Sequence, residues 1–204
     1  MTNAQEALEW LKEGNRRFVQ HLRSTEVLMS QLRRGELVKG QKPFAIVLGC
    51  SDSRVPAELV FDQGLGDLFV IRVAGNIVAP SQVGSVEFAA EAFGTRLVVV
   101  MGHTFCGAID ATLEIIEHPQ KPRSPNLASI TDRIRPAIQG LVHTELAQNR
   151  ERLIQEAMRA NVRASVSHLR HGSAILEKMV LQDGLQVVGA EYQLESGEVL
   201  FFDS

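Results

Sequence analysis

The sequence predicts an α/β fold: a mostly parallel central sheet of about four strands plus a C-terminal edge strand, flanked by helices, with an N-terminal helical arm. Three observations carry that prediction. Residues 44–48, 68–71 and 97–101 are unbroken apolar runs with no alternation, the pattern of strands buried on both faces in a parallel sheet. Between the second and third runs, Val83, Val86, Ala89, Ala90 and Phe93 recur at helical spacing over residues 82–93,. Strand, helix and strand in that order make a right-handed crossover unit.

From the N-terminus, residues 4–22 carry Ala7, Leu8, Leu11, Phe18, Val19 and Leu22 with charged residues between them, an amphipathic helix that Gly14 interrupts,. Two packings fit it: onto its own domain, or onto a partner subunit as an arm. Trp10, the only tryptophan, is an anchor in either. Residues 23–42 are polar and irregular and lead into the first strand. Gly94 stops the helix of residues 82–93,.

Residues 107–183 read as mostly helical. A helix over 108–117 ends at His118-Pro119, and two prolines with a Ser-Pro-Asn start signal make 121–126 a loop,. Helices follow over 127–146, bent at Pro136, and over 151–169 and 173–181. The turn Gln182-Asp183-Gly184 introduces a fourth strand at 185–190, and Ser196-Gly197 turns the chain into an antiparallel edge strand at 199–202,. With no repeat, low-complexity tract or boundary, residues 1–204 read as one domain, an arm over 1–40 and an α/β core over 41–204,.

Composition narrows the function. The chain is 45% hydrophobic and 22% charged, which suits a packed core, and its net charge of -3 is spread without a basic block, which points away from nucleic acid and anionic membranes,. No apolar run approaches the ~20 residues of a membrane span, and the N-terminus is not that of a signal peptide. The expectation is a cytoplasmic protein. Two cysteines in such a chain point to metal binding, catalysis or inert burial rather than a disulfide framework,.

Those cysteines lie in Gly49-Cys50-Ser51-Asp52-Ser53-Arg54 and Gly102-His103-Thr104-Phe105-Cys106-Gly107, each directly after a predicted strand. In open α/β sheets that edge is where sites form. If the two strands are neighbours, Cys50, His103 and Cys106 converge. Two thiolates and an imidazole suit zinc, and three protein ligands rather than four are the count of a catalytic site with one open position. On spacing alone, two buried cysteines and an unrelated histidine fit as well. Asp52 and Arg54 favour the metal: a carboxylate there can accept from bound water or fill the fourth position, and an arginine can hold it ionised. A turn residue and a surface cation is the other reading of that pair.

The combination of these motifs with Arg72-Val73-Ala74-Gly75-Asn76 and Gly84-Ser85-Val86-Glu87-Phe88 resembles the β-class carbonic anhydrases, closely from about residue 41 to 110. The resemblance implies Zn²⁺, one per subunit, on Cys50, His103 and Cys106, with Asp52 as a ligand only in a closed form. It implies reversible hydration of CO2 to bicarbonate by zinc-bound hydroxide, which Asp52 and Arg54 orient. It further implies that Gln41 donates to substrate, that Phe69 and Phe88 wall an apolar CO2 pocket, and that Gly107 offers a backbone N–H. Phe88 replaces the tyrosine usual in plant-like members. It also implies a homodimer or tetramer with sites at the subunit boundary. The bacterial members switched by bicarbonate carry a tryptophan three residues before the first cysteine; Val47 stands there, so no such switch is expected and Asp52 pairs with Arg54. Spacing places none of His21, His118, His143, His168 and His171 at the site as a proton shuttle. Three other functions remain in view: hydrolysis of carbonyl sulfide on the same scaffold, which Ser51 and Ser53 disfavour; a zinc-binding protein without turnover; and a redox pair of Cys50 and Cys106.

Overall fold

The structure, a computed structural model, describes residues 2–30, 34–120 and 124–202. The strands are β1 (Ala45–Gly49), β2 (Leu68–Arg72), β3 (Leu97–His103), β4 (Gln186–Tyr192) and β5 (Val199–Phe202). They form one sheet in the order β2-β1-β3-β4-β5, parallel except for β5, which is antiparallel to β4. This is the predicted architecture. Every residue of β1 and β3 is buried, as their unbroken apolar runs require. β2 is an edge strand, so Phe69 and Val70 are only partly covered.

The helices are α1 (Ala4–Val19), α2 (Thr25–Ser30), α3 (Arg34–Leu37), α4 (Ala57–Val60), α5 (Pro80–Ala92), α6 (Gly107–Glu117), α7 (Pro125–Ile138), α8 (Arg150–His171) and α9 (Ala174–Gln182). Successive strand residues point to opposite faces, so the sheet has two cores. Ile46, Leu48, Val98 and Val100 pack with apolar residues of α5 to α9. Ala45, Val47, Leu97, Val99 and Met101 pack with Ala4, Ala7 and Leu11 of α1 and with Ala57 and Val60 of α4.

Helix α1 therefore packs on its own chain, the first of the two packings considered. A capping box of Asn3 and Glu6 starts it,. Gly14 does not interrupt it. A Cβ at that position would lie 1.8 Å from the Phe61 carbonyl oxygen, so the glycine permits α1 to press against the turn after α4. The next residue, Asn15, is buried and stitches three segments together: its Nδ2 donates to the Val60 and Gly197 carbonyls, and its Oδ1 accepts from the Val199 N–H. Arg17 adds a bond of 2.6 Å from Nε to the fully buried carboxylate of Asp62.

Other boundaries differ from expectation for local reasons. The irregular stretch 23–42 contains the short helices α2 and α3, and its residues 31–33 lie outside the described residues. Of the loop expected at 121–126, residues 121–123 lie outside them too. Ser124 caps α7, whose first residue is Pro125. The helix expected over 127–146 stops at Ile138, because Pro136 removes a donor from its last turn and Gly140 follows,. Two 3-10 turns, Leu141–His143 and Glu145–Gln148, carry the chain on to α8.

Candidate active site

Strands β1 and β3 are hydrogen-bonded neighbours, with Gly49 opposite Met101. Cys50 leaves β1 at its C-terminal edge, His103 is the last residue of β3, and Cys106 caps the N-terminus of α6. One ligand atom of each lies within 4.8 Å of the others, and all three residues are buried. Room for this convergence comes from Gly102, where a Cβ would stand 2.6 Å from Met158 Sδ and 2.7 Å from Val162 Cγ2 of α8.

The set fits a thiophilic cation. His103 Nδ1 lies 2.8 Å from the Thr104 carbonyl, which can only accept, so the proton sits on Nδ1 and the Nε2 lone pair is free,. That Nε2 is buried with no hydrogen-bond partner among the described residues, facing the two sulfurs. The two sulfurs lie within 4.8 Å of each other. Donation from Cys106 draws the Cys50 thiol well below its ordinary value, against burial and with help from the backbone N–H groups of Gly75 and Asp52. The Cys50 thiolate and burial together push Cys106 up. Two thiols this close oppose each other's ionisation. A divalent ion would relieve that tension by taking both as thiolates.

Asp52 lies beside this set, its Oδ2 3.9 Å from His103 Nε2. Arg54 grips the carboxylate through Nε to Oδ1 at 2.9 Å, Nη2 to Oδ2 at 2.7 Å and its own backbone N–H to Oδ1 at 2.9 Å. Arg54 Nη2 also donates to the Phe105 carbonyl at 3.3 Å, which ties the two motifs together. Phe105 holds φ at 56°, a left-handed conformation uncommon for an aromatic residue,.

Two supports escaped the sequence reading. Arg72, at the end of β2, donates to the carbonyls of Cys50 and Asp52 at 3.1 and 2.6 Å and fixes the loop between them. It stood in the motif Arg72-Val73-Ala74-Gly75-Asn76, but nothing in its spacing assigns it a target. Gly75 donates its N–H to Cys50 Sγ at 3.3 Å. Gly107 is the first residue of α6, and the space around its Cα is open.

The other expected residues are elsewhere. Gln41 is exposed and precedes the N-terminal end of β1, beside Leu65 and Asp67; a strand the length of β1 spans ~16 Å, which separates it from Cys50. Phe69 pairs in register with Ile46, four residues before Cys50. It forms a ring cluster with Phe88 and Phe93, at centroid distances of 6.2 and 6.0 Å, and Phe88 is more than half exposed. Within one chain, Cys50, Asp52, Arg54, His103, Cys106 and Gly107 come together, and Gln41, Phe69 and Phe88 do not join them.

A carbonic anhydrase family model matches residues 45–199. Carbonic anhydrase 2 of Mycobacterium tuberculosis is 36% identical over 204 residues, which cover 99% of this chain and 94% of that protein. The crystal structure of the β-carbonic anhydrase CafA of Aspergillus fumigatus is 27% identical, with a TM-score of 0.73 over 86% of this chain and 84% of that one. A structure reported with two tetrameric β-carbonic anhydrases of Sordaria macrospora, 20% identical, shares the fold with a TM-score of 0.76 over 97% of each chain. With the family model spanning most of its length and a relative matching nearly all of it, the chain belongs to the β-class carbonic anhydrases, enzymes that hydrate carbon dioxide.

Proposed function

We propose that hydration takes place at a zinc ion held by Cys50 Sγ, His103 Nε2 and Cys106 Sγ, with Asp52 and Arg54 as the catalytic pair. The observation that carries this reading is the convergence of three soft donors on one point, with the free Nε2 among them and an ionised carboxylate 3.9 Å away. Bound there, zinc would bring the pKa of water from ~15.7 towards ~7. Asp52, kept ionised by Arg54, can only accept hydrogen bonds. It holds the O–H of the attacking oxygen and leaves a lone pair directed at the substrate carbon. Attack on carbon would move one C=O electron pair onto oxygen and give bicarbonate, and the proton that the water gave up on forming hydroxide would pass to solvent. Gly107, at the open N-terminus of α6, supplies an N–H for the growing negative charge,.

Gln41, Phe69 and Phe88 take part only if a second copy of the chain brings them to the site. The exposed ring of Phe88 and the tetrameric state of the Sordaria macrospora relatives support a homodimer or tetramer with sites at its boundary. Residues 1–204 function as one unit, with α1 part of the core it packs on. No described helix is long and apolar enough to cross a membrane, and two thiols reserved for metal suit the reducing cytoplasm. Val47, fully buried in the core beneath α1, leaves no tryptophan for a bicarbonate switch.

The test joins metal analysis to stopped-flow CO2 hydration and light scattering. The expected result is about one zinc per chain, turnover, and a dimer or tetramer. Cys50→Ser should lose both zinc and turnover. A wild-type protein that turns over CO2 with no bound metal would refute the reading.

A further inference from the structure

Asn161 is 3% exposed on the inner face of α8, one helical turn before the buried Ser165. Its Nδ2 donates to the Gly75 carbonyl at 2.8 Å, and Ser165 Oγ donates to the Asn76 carbonyl at 3.2 Å. Both carbonyls belong to a strained turn: Gly75 has φ 69° and Asn76 φ 42°, two left-handed residues in succession,. The turn has no slack. A Cβ on Gly75 would lie 2.7 Å from Ile134 Cδ1 and 3.1 Å from Ala108 Cβ. The Asn76 N–H closes the turn on the Val73 carbonyl at 3.0 Å, but its side chain adds no donor bond, since Nδ2 is buried without a hydrogen-bond partner among the described residues. The hold on the Gly75 carbonyl comes from α8, 86 residues further along the chain. The same turn aims the Gly75 N–H at Cys50 Sγ.

We propose that Asn161 is a positioning residue for the metal centre: by fixing the Gly75 carbonyl it keeps the Gly75 N–H on the Cys50 sulfur. This rests on the reading of Cys50 as a zinc ligand. An N–H donor withdraws electron density from a thiolate, so a sulfur that keeps it gives less charge to the metal and leaves it a stronger acid. Without Asn161 the buried Gly75 carbonyl loses its partner, and the turn relaxes to find another. The N–H then leaves the sulfur, which becomes a stronger donor with a less fixed position.

The experiment compares cobalt-substituted wild type with Asn161→Leu, which fills a similar volume and has no donor. The sulfur-to-cobalt charge-transfer band should move to longer wavelength, and release of zinc from the zinc form to a colorimetric chelator should quicken by roughly 10–100-fold. Asn161→Asp, of the same size and without the N–H, is the second variant and should move both readouts the same way. Ser165→Ala loosens the neighbouring carbonyl only; it should lower the melting temperature and leave the band in place. Asn161 variants that melt earlier but keep the wild-type band and release rate would overturn the proposal and leave a purely structural residue. A wild-type protein that takes up neither metal would overturn the zinc reading and this inference with it.

Discussion

Arg54 closes on Asp52 with both arms of its guanidinium, Nε to Oδ1 at 2.9 Å and Nη2 to Oδ2 at 2.7 Å, while the same carboxylate stands 3.9 Å from the free nitrogen of His103. Bidentate pairing of this kind fixes direction as well as charge. It holds the Asp52 carboxylate against Arg54, beside the cluster of Cys50, His103 and Cys106. Asp52→Asn keeps the shape and discards the charge, so zinc content should stay at the wild-type level and kcat/KM should fall by about 10²–10⁴. Arg54→Ala frees the carboxylate to turn onto the metal, and a displacement of that size costs about 10²-fold. Stopped-flow CO2 hydration with metal analysis reads both, and full activity in Asp52→Asn would break the assigned role.

The pair also decides which group does not titrate. Side-chain hydrogen bonds from Arg54 hold the Asp52 carboxyl well below the usual carboxylate range; burial opposes them, and the Arg54 backbone N–H and the charge of Arg54 assist. A depressed folded value means that the pair's contribution to stability is fully present above the unfolded value of about 3.9 and is lost as pH falls through the lower folded one. Across pH 6–9 Asp52 is therefore ionised throughout. The acid limb of the rate profile belongs to another group, and Asp52→Asn should lower the plateau without moving the limb's midpoint. A midpoint that moved by about one pH unit or more would show that Asp52 titrates in the working range.

The sheet and the convergence of Cys50, His103 and Cys106 were legible in the sequence for one shared reason. A strand buried on both faces must be apolar throughout, so 44–48 and 97–101 stand out, and each ends beside a motif that holds a cysteine,. Neighbouring strands then bring Cys50 to His103. What stayed hidden acts through main-chain atoms. Arg72 and Asn161 both bond carbonyls, and a carbonyl carries no sequence signature. Gly14 misled because a glycine in a helix reads as a break, whereas here it is the contact point with Phe61. Gln41, Phe69 and Phe88 came from resemblance alone, and the fold of one chain puts them away from the cluster of Cys50, His103 and Cys106.

Gly102 offers a test of the packing that sets His103. A methyl group there would meet Met158 Sδ at 2.6 Å and Val162 Cγ2 at 2.7 Å, both side chains of a fully buried helix face. Overpacking of this order costs ~1–3 kcal/mol, which for a chain this size lowers the melting temperature by roughly 2–12 °C. Relief by pushing α8 outward would displace β3 next to His103, so Gly102→Ala should also bind zinc less tightly. Calorimetry and chelator competition measure the two effects. A melting temperature equal to wild type would show that α8 yields without strain.

Asn15 tests whether α1 belongs to this chain's core or is an arm that can be lent to a neighbour. Its side chain satisfies the Val60 and Gly197 carbonyls and the Val199 N–H, joining α1 to the turn after α4 and to the final hairpin. Truncation in Asn15→Ala strands three main-chain groups in a site that is 6% exposed. At ~1–3 kcal/mol for a buried group left unpaired, and with partial rescue by water, the loss should be roughly 2–4 kcal/mol. Urea unfolding at fixed protein concentration should show it as a lower midpoint with an unchanged slope, since the surface exposed on unfolding is the same. Amide exchange should quicken first in α1 and β5, the two elements the side chain joins, ahead of the buried strands β1 and β3. Exchange that quickened evenly over the whole chain, or a midpoint that did not move, would mean that α1 draws its stability from elsewhere.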